Sequence, residues 1–222
     1  MHSFAVVIPA QEKNSYHHLG DLAPFGDTSL LEWKISQCKT FLSDSQIYII
    51  SPSSKIEKIA QRENVKFISR SESISYEKML EIVGKEVLED NIIWTNPTSP
   101  FLSGKAYKSM YKKFIEAKEY DSIISVQKRH EYTYYNDEEL NFHSTGFISR
   151  RDINPVDIVT NGCYILSKEM LSTRQSLFGK KPFLFSLNAL ESTEIKDISD
   201  LTIANELISI YFRLEIVGNE NV

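Results

Sequence analysis

Several stretches of this chain place hydrogen-bonding or charged side chains directly after short apolar runs, where a buried strand would end and a ligand would begin. In Asn96-Pro97-Thr98-Ser99-Pro100, two prolines bracket a turn whose short side chains both donate and accept, which suits a hydroxyl group or a base. Ser99 or Ser103 can equally serve as a cap for the helix that follows. Arg70 and Ser75 occupy another such loop; a guanidinium there makes planar, bidentate contacts with phosphate or carboxylate, or pairs with Glu72 at the surface. Between Pro9 and Asp27 the only formal cation is Lys13, with His17 and His18 adding charge when protonated. They either hold phosphate or belong to a solvated loop. Arg150, Arg151 and Lys128 lie in a polar, aromatic stretch. On an extended segment two adjacent arginines face opposite ways, so at most one points into a site, and a charged rim is the alternative. Asn161 precedes Gly162, which allows backbone angles that other residues disfavour, so Asn161 reads as a site residue or as part of a tight turn.

Elements that would position these groups follow from periodicity. Phe4–Ile8, Gln46–Ile50, Val65–Ile68, Asn91–Trp94 and Asp121–Val126 are short apolar runs without polar alternation, as in strands buried on both faces. Gly162–Leu166 and Pro182–Leu187 add two more. Thr28–Leu42 carries Leu31, Ile35, Cys38 and Leu42 on one stripe. Ser53–Glu63, Ser75–Leu88 and Ser103–Lys118 each open at a serine able to cap free N–H groups, and Ser199–Ile210 reads as a C-terminal helix. Strand–helix alternation predicts an α/β fold, a mostly parallel sheet with helices on both faces. Ligands of such sheets bind beyond the carboxyl ends of the strands, which directs attention to Pro9–Asp27, Ser69–Ser75 and Thr95–Ser103. Residues 1–222 read as one domain, with 127–160 an irregular inserted arm.

Composition narrows the function classes. A net charge of −5 argues against general affinity for nucleic acid or anionic membranes. No apolar run approaches membrane-spanning length, and the first residues lack the basic flank and long apolar region of a signal peptide. Cys38 and Cys163 both sit in apolar segments and read as buried thiols, so the expected setting is cytoplasmic.

An ordered series of segments resembles the CMP-sialic acid synthetase (acylneuraminate cytidylyltransferase) family and its CMP-ketodeoxyoctulosonate synthetase relatives. It comprises Ala5-Val-Val-Ile-Pro-Ala10, Leu22-Ala-Pro-Phe-Gly26, Leu30-Leu-Glu-Trp33, Ile68-Ser-Arg70 with Ser75-Tyr-Glu77, and Trp94-Thr-Asn-Pro-Thr-Ser-Pro-Phe101. Asp121-Ser-Ile-Ile-Ser-Val126, Asn161-Gly-Cys-Tyr164 and Asp200-Leu-Thr-Ile-Ala204 complete it. The resemblance spans essentially the whole chain and implies a Rossmann-like mononucleotide-binding sheet and transfer of CMP from CTP to a sialic-acid-like sugar acid, with release of pyrophosphate. It implies nucleotide contacts at Pro9, Ala10, Gln11, Arg70, Ser75, Asn96, Thr98 and Ser99, acceptor contacts at Arg150 and Asn161, and a homodimer through the arm. The aromatic residues around Tyr132–Tyr135 and Phe142–Phe147 fit such an arm.

This chain departs from the family pattern at charged positions. Gln11 takes the place of the phosphate-loop Arg and Ser15 that of a Lys, leaving Lys13 as the catalytic cation. The family's Mg²⁺ is held by two Asp spaced two apart before the last helix; here Glu194 and Lys196 align with them, with Asp197 one residue later. Glu194 and Asp197 are then the metal candidates, or Lys196 stands where the cation would be, because an ammonium has no lone pair to donate. An alternative to turnover is a catalytically weakened homologue that binds nucleotide or sugar and serves as a regulatory or assembly partner. A transferase using another nucleotide or acceptor is a third.

Overall fold

The computed structural model describes residues 3–220 except 144 and 147, with side chains to 213. Phe147, grouped above with the aromatic arm, lies outside the described residues. Phe4–Pro9 forms β1, in which every residue except Pro9 is buried. Pro24–Phe25 (β2) and Thr28–Ser29 (β3) make a small antiparallel ribbon that leads into helix α1, Leu30–Lys39. Ser29 caps this helix, and Glu32 reaches back to complete a capping box. There follow β4 (Ile47–Ser51), α2 (Ser54–Arg62), β5 (Lys66–Ser69), α3 (Tyr76–Glu86), β6 (Asn91–Trp94) and α4 (Gly104–Glu116). The second half contains β7 (Ser122–Arg129), β8 (Tyr134–Tyr135), β9 (Glu138–Glu139), β10 (Val156–Ser167), α5 (Lys168–Arg174), β11 (Pro182–Ser186) and α6 (Ile198–Glu220).

Seven strands form one sheet in the order β11-β7-β10-β6-β1-β4-β5. Only β10 runs against the others, pairing antiparallel with β6 and β7. Alternate residues of β1 serve the two faces. Val6 and Ile8 join Leu31, Ile35, Ile56 and Tyr107 of α1, α2 and α4 on one side, whereas Ala5 and Val7 join Leu80, Val83 and Leu171 of α3 and α5 on the other. A third cluster packs Phe25, Leu30 and Phe101 against Leu201 and Ala204 of α6. Both cysteines are buried and free. Among the described residues no helix is long and apolar enough to cross a membrane.

The expected arm is more regular than its sequence indicates. Gln127–Arg129 continues β7, and Val156–Ile158 pairs with it as the start of β10, so two strands carry the segment away from the sheet. β8 and β9 form a hairpin whose turn residues Asn136 and Asp137 have φ of +50° and +65°. Adjacent residues with positive φ make the primed turn that matches strand twist, and Asn-Asp tolerates it. The polar composition hid these strands because neither face of the ribbon is buried. Arg150 and Arg151 lie in a short 3₁₀ turn rather than an extended segment.

Candidate functional site

Order reverses at β1: the chain goes out through β4 and β5 on one side and through β6 on the other. The loops leaving β1 and β6 therefore emerge side by side at the carboxyl ends, as open α/β sheets require for a ligand crevice. Two cavities, each about 550 Å³, open there. The first is lined by Gln11, Glu12, Lys13, Ser53, Arg70 and Glu72. The second is lined by Tyr76, Asn96, Asn161, Tyr164 and the turn Gln175–Phe178. The loop that carries Arg70 and Glu72 runs on to Tyr76, so one segment contributes to the walls of both.

In the first cavity charge is nearly balanced. Lys13 and Arg70 face Glu12 and Glu72 as lining groups. Glu12 is held by the Lys55 ammonium and by the Ser53 hydroxyl at 2.6 Å, which together keep its carboxyl below the usual range. Arg70 donates from one terminal nitrogen to the Ser71 carbonyl at 3.0 Å, while its buried Nε has no partner. Burial lowers the guanidinium's pKa, with Glu72 acting in the opposite direction.

Asp21 shapes the loop over this cavity. Its carboxylate accepts from the Gln11 amide at 2.6 Å and from the Tyr16 hydroxyl at 2.5 Å, and its own amide donates to the Gln11 carbonyl at 2.8 Å. Asp21 is 4% exposed, and burial pushes its carboxyl up to about 6 from the ordinary 3.8, against the two hydrogen bonds that favour the charged form. Because the folded state holds the proton more tightly than the unfolded chain, this group's stabilisation is complete below about pH 4. It is lost as pH rises through about 6. Asp21→Asn is expected to remove that component, so the wild-type melting curve should fall more steeply than the variant's between pH 4 and 6. Parallel curves in a pH series of thermal melts would contradict it.

The second cavity is built by cross-links between distant segments. Asn96 donates to the Asn161 carbonyl at 2.8 Å, and Asn161 donates to Glu194 Oε1 at 2.6 Å and accepts from the Tyr164 hydroxyl at 2.8 Å. The Ile195 amide donates to the Thr98 carbonyl at 2.8 Å, which pins the Glu194–Lys196 segment to the loop after β6. Asn161 and Gly162 lie inside β10 at a register shift between Val159 and Tyr164, so the tight-turn alternative does not hold; Gly162 has no positive φ.

Several expected site residues are committed elsewhere. Pro9 ends β1, and Ala10 is fully buried with its amide bonded to the Ile50 carbonyl at 3.0 Å. Ser99 is 1% exposed and its hydroxyl is sealed without a partner, so it does not reach either cavity. Ser75 caps α3 through the Lys78 amide, as Ser103 caps α4. Thr98 is half-buried and joins the site through its carbonyl. Arg150 pairs with Glu131 at 3.3 Å on the arm and lines neither cavity.

The carboxylates expected to hold Mg²⁺ do not fit it. Glu194 Oε1 already accepts from Asn161, and Oε2 lies 3.6 Å from the Lys196 ammonium. Asp197 accepts from the Asp200 amide at 2.9 Å, capping the first turn of α6, and Asp200 in turn accepts from the Lys196 amide. Among the described residues no three His, Cys, Asp or Glu side chains come together as a metal site. A lysine beside the better carboxylate repels a cation.

Sequence reasoning did not find Glu12, Ser53, Tyr76, Phe178 or the Asp21 clamp. The signal for Asp21 was an acid directly after a glycine in a post-strand loop, a pattern shared by Asp27; Ser53 was read as a helix cap and Tyr76 lay within Ser75-Tyr-Glu77, while Glu12 and Phe178 carry no signal.

No family model matches this chain, and no curated protein matches it. Its fold is found in solved structures. A CMP:2-keto-3-deoxy-manno-octonic acid synthetase complexed with CTP is 11% identical, with a TM-score of 0.69 over 93% of this chain and 98% of that one. A cytidylyltransferase from Leptospira borgpetersenii is 15% identical, with a TM-score of 0.67 over 100% and 95%. A 4-diphosphocytidyl-2C-methyl-D-erythritol synthase from Anaerococcus prevotii is 13% identical, with a TM-score of 0.66 over 94% and 99%.

Proposed function

We propose that this chain is a nucleotidyltransferase that binds CTP across the first cavity and transfers CMP to a hydroxyl of a sugar acid held in the second. The observation that carries this reading is the pair of cavities at the carboxyl ends of the strands beside the order reversal, one lined by Lys13 and Arg70, the other by neutral hydrogen-bonding groups. Structures named for cytidylyl transfer share the fold over nearly their whole length, which supports the choice of CTP. In the transfer, the acceptor oxygen forms a bond to the α-phosphorus. The bond from that phosphorus to the bridging oxygen breaks, pyrophosphate leaves with the electron pair, and the hydroxyl proton passes to solvent. Lys13 supplies positive charge in the first cavity, Lys196 supplies it beside Glu194, which Asn161 contacts, and Asn96 and Asn161 orient the acceptor. No step is assigned to a metal, since the donor set does not fit one. A cytoplasmic homodimer through the arm belongs to the same reading, supported by exposed Tyr134, Tyr135 and Leu140 on the hairpin and by the two buried thiols.

CTP at 100 times its Kd is expected to stabilise the protein by about 2.7 kcal/mol, a rise in Tm of about 5–10 °C for a chain of this size. EDTA or MgCl₂ should leave the shift unchanged, and Lys13→Ala should reduce it. Pyrophosphate release with a panel of sugar acids then reports transfer, and light scattering on the same samples reports the dimer. Absence of a shift with all four nucleoside triphosphates sinks the reading. The balanced charge of the first cavity favours a second reading, a nucleotide-binding homologue without turnover; a CTP shift with no pyrophosphate from any acceptor selects it.

A further inference from the structure

We propose that Lys34 is a positioning residue for the crevice: its ammonium, sealed between α1 and the loop after β6, holds the Ser99 carbonyl and thereby sets Asn96 at the cavity wall. This rests on the crevice being the nucleotide-transfer site described above.

Lys34 is 0% exposed, and its Nζ donates to the Ser99 carbonyl at 2.7 Å and to the Tyr107 hydroxyl at 3.1 Å. Among the described residues no carboxylate pairs with it. The groups that face it are Cys38 on its own helix, Cys163 of β10, Tyr107 of α4 and the loop itself. Tyr107 passes the contact on to Thr95 at 2.5 Å, and the Thr95 hydroxyl donates to the Gly162 carbonyl at 2.7 Å, next to Asn161. Two neighbours on α1 act alongside it, with Trp33 Nε1 and Gln37 Nε2 each donating to the Pro100 carbonyl at 2.6 Å. The helix thus draws successive carbonyls of the loop inward, while Asn96 remains at the cavity.

A buried ammonium without a counter-charge is a costly way to make one hydrogen bond to a loop, because desolvation opposes it. Burial pushes its pKa down to about 8. A methionine of similar length would fill the same volume without that cost. Retaining lysine therefore sacrifices stability for the placement of the loop, a pattern expected where a site is preorganised.

Lys34→Met separates this from a purely structural role. The variant is expected to melt at or above the wild-type temperature, while the non-proline backbone amides of residues 95–102 exchange at least tenfold faster and the apparent affinity for the sugar-acid acceptor falls at least tenfold. Unchanged exchange together with unchanged affinity overturns the proposal, as does a lower melting temperature with wild-type affinity and exchange. If the wild-type chain binds no CTP, the transfer reading fails while the exchange measurement still decides the brace. If Lys34→Met does not fold, the wild-type chain decides it. Normalised for intrinsic base catalysis, residues 95–102 should exchange faster at pH 9 than at pH 7, as Lys34 loses its charge, and equal normalised rates overturn the proposal.

Discussion

Trp94→Ala is expected to destabilise the protein by about 3–5 kcal/mol, lowering Tm by about 6–20 °C. Trp94 is 1% exposed at the carboxyl end of β6, in register with Val7 on one side and Tyr164 on the other. Its ring meets Tyr76 edge-on at 6.0 Å. Removing the indole leaves a void between the sheet and helices α3 and α5 that collapses poorly, since β1 and β10 hold β6 in place from both sides. Tyr76 and Tyr164 wall the second cavity, so the loss should loosen acceptor binding as well as the core. Trp94→Phe should recover most of the stability. Denaturant unfolding of the three proteins checks this, and a loss below about 1 kcal/mol for Trp94→Ala would show that the strand relaxes around the gap.

Gly20→Ala should act on the loop over the first cavity instead. Gly20 has φ of +53°, and a Cβ there would stand 2.3 Å from the Gln11 carbonyl oxygen and 2.7 Å from both Glu12 C and Lys13 N. These are backbone atoms and cannot rotate aside. Left-handed strain for a residue with a side chain costs about 1–2 kcal/mol, and the overlap adds a similar amount, for a total of about 2–4 kcal/mol. The backbone must move exactly where Gln11 and Lys13 line the cavity, so CTP affinity should fall at least tenfold while the sheet stays folded. Thermal melts paired with CTP titration test both halves; wild-type affinity would mean that the loop takes no part in nucleotide binding.

The departures from expectation share a cause. Ser75 and Ser103 were legible as caps because a serine ahead of an apolar period has a local purpose that backbone geometry alone imposes. Asp197 resembles a metal ligand in sequence, yet the first turn of α6 claims its carboxylate. The strands flanking the arm lack a buried face and so left no alternation to read. Helix α5 is only seven residues long, too short for its period to stand out.

Sequence alone determined the alternation of strands and helices, the loops at the carboxyl ends and the stripe of Leu31, Ile35 and Cys38 on α1, because these follow from backbone period and burial within a few residues. Tertiary structure decided that β10 runs antiparallel between β6 and β7, that Asn161 meets Glu194, and that Lys34 on the same helix reaches Ser99. Those partners are separated by 33 and 65 positions in the chain. Nothing in a side chain's type encodes the distance to a residue so remote; only the packing of the sheet against its helices brings such groups within hydrogen-bonding range.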